Sequence, residues 1–215
     1  MSIDKATKAK ERSHTEAQET VKPKSTFREY AEAIGMALLL ALFIRTFIVQ
    51  AFKIPSGSMI PTLQIGDHIL VNKLAYGIRV PLWGHYLVDF GKVHRGDVIV
   101  FIFPEDRSKD FIKRVVGVAG DTVEIRGKKI YINGQQINDP HAHFEGDDPQ
   151  NLLPASRDDY GPTRVPENHL FVMGDNRDRS YDSRFWGFVN LDDVRGKAFL
   201  IYWSWDGSDR WVRWE

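Results

Sequence analysis

The chain has 215 residues and no net charge, because its 29 lysines and arginines equal its acidic residues in number. This length allows one substantial core, or one core with an appendage, and the charge balance gives no argument for a nucleic acid partner. The chain has no cysteine, which excludes disulfides, cysteine-dependent zinc sites and a cysteine nucleophile.

The N-terminal part of the chain changes from polar to apolar. Residues 1–26 carry charges of both signs and almost no large apolar side chain, so we expect a disordered tail. The uncharged run that follows, residues 33–44, ends at Arg45 and is shorter than the roughly 20 residues that span a bilayer.

Three interpretations compete for this run. It could be a cleaved signal peptide ending at Val49-Gln50-Ala51, a buried core helix, or a transmembrane helix that extends to Val49 or Phe52. The long segment before the run argues against the first, and the lack of an amphipathic period argues against the second. We therefore predict a transmembrane helix over residues 27–50. Flanking basic residues weakly favour a cytoplasmic tail, with residues 51–215 outside the cytoplasm.

Serine, glycine and proline concentrate directly after this run, in Pro55-Ser56-Gly57-Ser58-Met59-Ile60-Pro61-Thr62-Leu63. The prolines fix φ and glycine relaxes it, which favours a rigid turn that could hold a nucleophilic hydroxyl beside backbone N–H groups. A Ser/Pro-rich linker would have the same composition, so both interpretations remain open on this segment alone.

The rest of the chain is predicted to be mainly β. Alternating or apolar runs predict strands near residues 67–72, 98–103, 110–118, 122–125, 129–132, 135–137 and 170–173. Residues 76–92 and 138–162 lack a period and are predicted to be loops, so residues 119–165 form a reduced second lobe of hairpin and loop.

A serine nucleophile needs a base, and the sequence has no G-x-S-x-G or S-x-x-K motif at Ser58. The strand over residues 110–118 offers Lys113, which period-2 alternation places on one face with Phe111 and Val115. Burial on an apolar face would lower the pKa of this lysine toward the range of a general base. The alternative is a lysine that extends from a strand edge into solvent.

Two segments suggest metal binding at first sight. The first combines two histidines with four acidic residues, namely His141, His143, Asp139, Glu145, Asp147 and Asp148, but such loops are more often simply solvated. The second, residues 175–180, lacks the glycine and glutamate that an EF-hand loop requires. We predict no metal and no other cofactor.

Several segments of the chain, taken together and in their order along the sequence, resemble those of the bacterial type I signal peptidases, which are membrane-anchored Ser/Lys proteases. The matching segments are Arg45-Thr46-Phe47, Ile54-Pro55-Ser56-Gly57-Ser58-Met59-Ile60-Pro61-Thr62-Leu63, Gly66-Asp67, Asn72-Lys73, Arg95-Gly96-Asp97-Val98-Ile99-Val100-Phe101, Phe111-Ile112-Lys113-Arg114-Val115-Val116-Gly117 and Gly174-Asp175-Asn176-Arg177-Asp178-Arg179-Ser180-Tyr181-Asp182-Ser183-Arg184-Phe185-Trp186-Gly187. The resemblance implies a β domain of antiparallel sheets with one N-terminal transmembrane helix.

The resemblance also implies roles for individual residues. Ser58 is the expected nucleophile, Lys113 the expected base, and the Ser58 N–H with the Ser56 hydroxyl the expected oxyanion hole. Ser180 is expected to hydrogen-bond the lysine, and the expected supporting residues are Asp182, Arg184 and Asp175. The residues expected to line shallow apolar pockets for A-x-A-type substrates are Phe52, Ile54, Pro55, Met59, Leu63, Ile69, Val100, Phe111 and Ile112.

The implied partners are secretory preproteins, whose signal peptides would be removed, and the lipid bilayer, with no nucleic acid. We expect a monomer in the bacterial inner (cytoplasmic) membrane with its catalytic domain on the periplasmic or extracellular side. The C-terminal tryptophans could form a membrane-interface belt or fill the core. A related Ser/Lys maturation protease and a catalytically inactive signal-peptide-binding module are the rival functions.

The chain departs from the family pattern in three respects. It has a single candidate span where some members have two, its second lobe is short, and Arg45 interrupts its brief apolar run. None of these departures affects Ser58 or Lys113.

Overall fold

The structure is a computed structural model that describes residues 26–79, 86–88, 91–146, 155–204 and 213–214. The predicted tail up to residue 25 lies outside the described residues, as do Asp147, Asp148, Trp205 and Trp211. Tyr202 and Trp203 are both exposed, so these two aromatic side chains do not fill the core.

Fourteen strands and two α-helices are present in the described part of the chain. The α-helices are α1 (Thr26–Phe47) and α2 (Ser183–Trp186), and short 3-10 helices cover Ala155–Asp158, Arg177–Arg179 and Leu191–Asp193. The strands are β1 (Val49–Lys53), β2 (His68–Asn72), β3 (Ile78–Arg79), β4 (Tyr86–Val88), β5 (Val98–Ile102), β6 (Asp110–Gly117), β7 (Thr122–Arg126), β8 (Lys129–Ile132), β9 (Gln135–Gln136), β10 (Tyr160–Arg164), β11 (His169–Met173), β12 (Val189–Asn190), β13 (Val194–Trp203) and β14 (Arg213–Trp214).

Helix α1 contains no buried residue, and by length and composition it could cross a membrane. The predicted extension of this helix to Val49 or Phe52 is wrong, since the helix ends at Phe47 and β1 begins at Val49. All five residues of β1 pair with β2. This tertiary pairing overrides the helical preference of the preceding apolar run.

The main sheet is antiparallel and follows the order β1-β2-β13-β5-β6-β11-β12, with β14 also paired to β13. One apolar cluster lies against it and combines residues of the serine turn, such as Met59 and Leu63, with strand residues such as Ile69 and Val100. Phe52 of β1 and Ile112 of β6 both pack against this cluster. The core therefore joins the serine turn to the strand that carries Lys113.

A second antiparallel sheet has the order β10-β7-β8-β9 and contains the predicted hairpin. The loop predicted over residues 138–162 is wrong at its end, because Ala155–Asp158 is helical and β10 pairs with β7. Gly161 and Pro162 are residues that typically interrupt a strand, but β10 lies at the edge of its sheet, where proline is tolerated. The predicted loop over residues 76–92 likewise contains β3 and β4, which pair with each other but are too short to show a period.

Candidate active site

The serine turn is anchored to the core at both ends. Ile54 donates its N–H to the Asp67 carbonyl and accepts the Gly66 N–H, while the Leu63 N–H bonds the Met59 carbonyl. Ile54, Met59 and Leu63 are buried. Because its apolar side chains belong to the core, this segment is a folded turn and the linker interpretation is wrong.

The turn brings Ser58 to Lys113. Nζ of Lys113 donates to Oγ of Ser58 at 2.7 Å, and both residues are buried, with Lys113 4% and Ser58 8% exposed. Phe111 and Val115 pack in one cluster while Ile112 packs against another, as the alternation along β6 predicts. Nζ also lies 5.5 Å from the centre of the Phe111 ring.

Burial is the main influence on the Lys113 amine. It lowers the pKa of Lys113 from 10.5 to about 8, because the ammonium form loses its hydration. The nearby carboxylates of Asp182 and Asp175 act in the opposite direction and raise this pKa, whereas Arg184 lowers it. An amine with such a pKa is partly neutral near physiological pH, so it could accept a proton from a neighbouring hydroxyl.

An ion pair joins β6 to the loop that follows β11. Arg114 donates two hydrogen bonds to the Asp175 carboxylate, at 2.8 and 2.7 Å, and both side chains are buried. Thr62, at the end of the serine turn, donates its hydroxyl to the same carboxylate at 2.6 Å. Asp175 thus ties the serine turn to the neighbour of Lys113.

A second buried ion pair joins the end of the same loop to α2. Arg184 donates to the Asp182 carboxylate at 2.9 Å, and Asp182 also accepts the Gly174 N–H at 3.1 Å. The Ser180 hydroxyl accepts that N–H as well, at 3.2 Å. The expected hydrogen bond between Ser180 and Lys113 is not formed among the described residues.

Comparison with known proteins identifies the family of this chain. A family model described as signal peptidase, peptidase S26, matches residues 27–203. The chain belongs to this family. The signal peptidase I of Pseudomonas fluorescens is 38% identical over 206 residues, and the match covers 82% of this chain and 72% of the relative.

Further relatives come from other bacteria. Signal peptidase I of Pseudomonas aeruginosa is 39% identical, with 82% of this chain and 72% of the relative covered. Signal peptidase I T of Bacillus subtilis is 33% identical, and the match covers 89% of this chain and 94% of the relative. A solved signal peptidase I from Enterococcus faecalis matches half of this chain and 97% of its own, with 32% identity and a TM-score of 0.41. The family model and the identities of the relatives confirm, at the level of the family, the resemblance seen in the sequence motifs.

The two groups expected to form an oxyanion hole are the Ser58 N–H and the Ser56 hydroxyl. Within the described part of the chain, the Ser58 N–H makes no hydrogen bond, and Ser56 is exposed. The roles of both groups in an oxyanion hole remain predictions.

The residues expected to line substrate pockets fall into two groups. Those buried in the core cluster are Ile54, Met59, Leu63, Ile69 and Val100, and those that keep exposed surface are Phe52, Pro55, Phe111 and Ile112. Any direct contact with a ligand must come mainly from the second group, since the first is covered. Their assignment to a substrate pocket remains a prediction.

Two acidic residues of the suggested metal segment have cationic partners. Asp139 pairs with Arg177, and Glu145 pairs with Arg179 at 2.6 Å. No group of three or more histidine or acidic side chains positioned to hold a metal occurs among the described residues. The prediction of no cofactor remains a prediction.

Sequence reasoning missed three residues whose hydrogen bonds join the serine turn, β6 and the loop after β11, namely Thr62, Arg114 and Asn176. The available signal was Arg114, a charged residue inside an apolar strand, because buried charges are nearly always paired. Nothing in the sequence indicated that its partner lies 61 residues away at Asp175.

Proposed function

We propose that this chain removes N-terminal signal peptides from exported preproteins by Ser/Lys acyl-enzyme catalysis, at sites with small residues in the A-x-A pattern. The single observation that carries the proposal is the 2.7 Å contact between Lys113 Nζ and Ser58 Oγ in a buried site. Membership of the signal peptidase family and the names of the relatives support the choice of substrate.

The proposed reaction begins with neutral Lys113. The amine takes the proton of the Ser58 hydroxyl, and Oγ attacks the carbonyl carbon at the end of the signal peptide. Negative charge on the carbonyl oxygen is stabilised by the Ser58 N–H and the Ser56 hydroxyl. Collapse of this intermediate breaks the C–N bond, and the lysine ammonium returns its proton to the leaving amine.

Water completes the proposed cycle. Neutral Lys113 takes a proton from a water molecule, whose oxygen attacks the acyl-serine ester. The second tetrahedral intermediate expels the serine oxygen, which recovers its proton from the lysine ammonium. The products are a signal peptide with a free carboxylate and a mature protein with a free amine, and Ser58 and Lys113 return to their starting states.

Extended substrate is proposed to bind as an added strand. In the described sheet, β1 pairs only with β2, and β6 pairs with β11 only from Arg114 onward. The outer edge of β1 and the first half of β6 therefore offer backbone groups to a peptide. Phe52, Pro55, Phe111 and Ile112 flank these edges and would favour small side chains by limiting the depth of the pockets.

Helix α1 is the proposed membrane anchor. Its 22 residues and its exposed apolar side chains fit a single span, which would keep the enzyme near substrates that are themselves membrane-bound. We propose a cytoplasmic N-terminus and a catalytic domain on the opposite side of the cytoplasmic membrane.

The test is cleavage of a preprotein bearing an A-x-A site by the full chain in detergent. Cleavage after the second small residue is expected for the wild type, with a loss of at least ~10³-fold in kcat for Ser58→Ala and Lys113→Ala. Lys109→Ala, which removes an exposed lysine just before the same strand, should cleave normally. Binding without cleavage by the wild type would favour the inactive binding module, and full activity of Lys113→Ala would contradict the proposed base.

A further inference from the structure

We propose that Asn176, held in place by Glu145, is a positioning residue that aims the Ser58 backbone N–H at the developing oxyanion. This inference rests on the proposed function, because it assigns a step of that reaction to a residue outside the expected catalytic set. Its basis is a chain of contacts that runs from Arg179 through Glu145 and Asn176 to the serine turn.

Asn176 contacts two consecutive carbonyl groups of the turn. Its backbone N–H donates to the Ser58 carbonyl at 3.1 Å, and its side-chain Nδ2 donates to the Gly57 carbonyl at 3.4 Å. The Gly57 carbonyl and the Ser58 N–H belong to one planar peptide group and point in opposite directions. Any contact that fixes the Gly57 carbonyl therefore fixes the direction of the Ser58 N–H.

Glu145 determines the orientation of the Asn176 amide. Nδ2 donates to Glu145 Oε1 at 2.6 Å, and the other carboxylate oxygen pairs with Arg179 Nε at 2.6 Å. If the amide were turned over, Oδ1 would face two acceptors, the Gly57 carbonyl and the Glu145 carboxylate. The charge-assisted bond to Glu145 thus keeps the donor toward the serine turn.

Burial of Asn176 supports a role beyond local packing. The residue is 1% exposed, and its Oδ1 has no hydrogen-bond partner among the described residues. Because the surrounding protein encloses the side chain, the amide that bonds the Gly57 carbonyl and Glu145 has little freedom to turn.

Backbone contacts bring Glu145 to the site. The His143 N–H bonds the Asp175 carbonyl at 2.7 Å, and the Arg177 N–H bonds the His143 carbonyl at 2.9 Å. These bonds form a parallel bridge between His143 and Asn176. The histidine-containing segment that suggested a metal site in the sequence therefore supports the loop behind the nucleophile.

The proposal predicts a selective effect on kcat. Asn176 does not line the proposed substrate edges, so KM should change little when its side chain is altered. The charges that shift the pKa of Lys113 are Asp182, Asp175 and Arg184, and Glu145 is not among them. The pH profile of the reaction should therefore keep its midpoint.

The experiment measures kcat and KM separately, from pH 6 to 10, for the full chain in detergent with an A-x-A preprotein. Asn176→Ala should lower kcat about 10-fold, because small displacements of catalytic groups have effects of this order, with KM within about twofold. Asn176→Asp should lower kcat further, because a carboxylate would face the Gly57 carbonyl and Glu145. The kcat of Glu145→Gln should stay within about twofold of the wild-type value, since its amide oxygen still accepts from Nδ2. Glu145→Ala should lower kcat as much as Asn176→Ala does.

The matched control is Glu124→Gln, which alters a half-buried acid paired with Arg126 in the second sheet and should not change kcat. Unchanged kcat in Asn176→Ala, a shifted pH midpoint, or equal losses in Glu145→Gln and Glu145→Ala would overturn the proposal. If Asn176→Ala fails to fold in a thermal unfolding assay, the contrast between the two Glu145 variants decides. A wild type that does not cleave would refute the proposed function as well. If the wild type cleaves and the Asn176 and Glu145 variants have the wild-type kcat, only the positioning role is refuted.

Discussion

Protonation of Lys113 should control both activity and stability, and the two effects can be measured separately. Its pKa of about 8 leaves about a tenth of the molecules with a neutral amine at pH 7 and about nine tenths at pH 9. If the neutral amine is the base, kcat/KM should rise about tenfold per pH unit below pH 7 and level off above pH 9.

The effect on stability follows from the same shift. Lowering the pKa of Lys113 from 10.5 to about 8 corresponds to a cost of about 3 kcal/mol for burying the ammonium form. Because the folded pKa lies below the unfolded one, the unfolded state binds more protons between pH 8 and 10.5, so stability rises with pH there. The full cost is present below pH 8 and is absent above pH 10.5.

Lys113→Met isolates this contribution, because methionine is of similar length and does not titrate. We expect the free energy of unfolding of this variant to exceed that of the wild type by up to about 3 kcal/mol below pH 8, with the excess declining as the pH approaches 10.5. Urea denaturation of both proteins at a series of pH values measures the difference, and Lys109→Met, which alters an exposed lysine, serves as the control. A difference that does not change with pH, or an activity midpoint near pH 10, would refute the reasoning.

Two further predictions concern the loop that follows β11. A Cβ on Gly174 would overlap the Ser58 carbonyl oxygen, so Gly174→Ala should lower kcat about 100-fold in a preprotein cleavage assay. The control is Gly35→Ala, which should be active because the space around Gly35 is open. Equal activity of the two variants would contradict the steric argument. Arg114→Met should lower the free energy of unfolding by about 3–5 kcal/mol, because it leaves Asp175 buried and unpaired. Adding Asp175→Met should recover most of this loss in urea denaturation, and no recovery would show that the ion pair is not its cause.

The strands of the core could be predicted from the sequence because their residues follow simple periods. The apolar strand predicted over residues 98–103 is β5, and the lysine strand predicted over residues 110–118 is β6. The boundary between α1 and β1 could not be predicted, because no glycine, proline or asparagine separates Phe47 from Val49. Pairing with β2, which is distant in sequence, decides where the helix ends.

The contact between Ser58 and Lys113 could be anticipated only in part. Alternation indicated that Lys113 is buried, and the turn composition indicated that Ser58 is held rigidly, but nothing in the local pattern joins residues 55 positions apart. The family resemblance supplied that connection. It did not supply the contact between Asn176 and Gly57, because a charged loop of this composition allows many pairings and only the folded chain selects one.

The buried ion pairs around Lys113 are better explained by its protonation state than by stability. Buried pairs contribute little net stability, since desolvation offsets their attraction. Asp175 and Asp182 both raise the pKa of Lys113, and each is paired with an arginine, Arg114 and Arg184 respectively. An unpaired carboxylate at either position would attract a proton to the lysine more strongly and oppose the effect of burial. Pairing lets the loop carry the carboxylates that bind Thr62 and Gly174 while desolvation still sets the pKa of the proposed base.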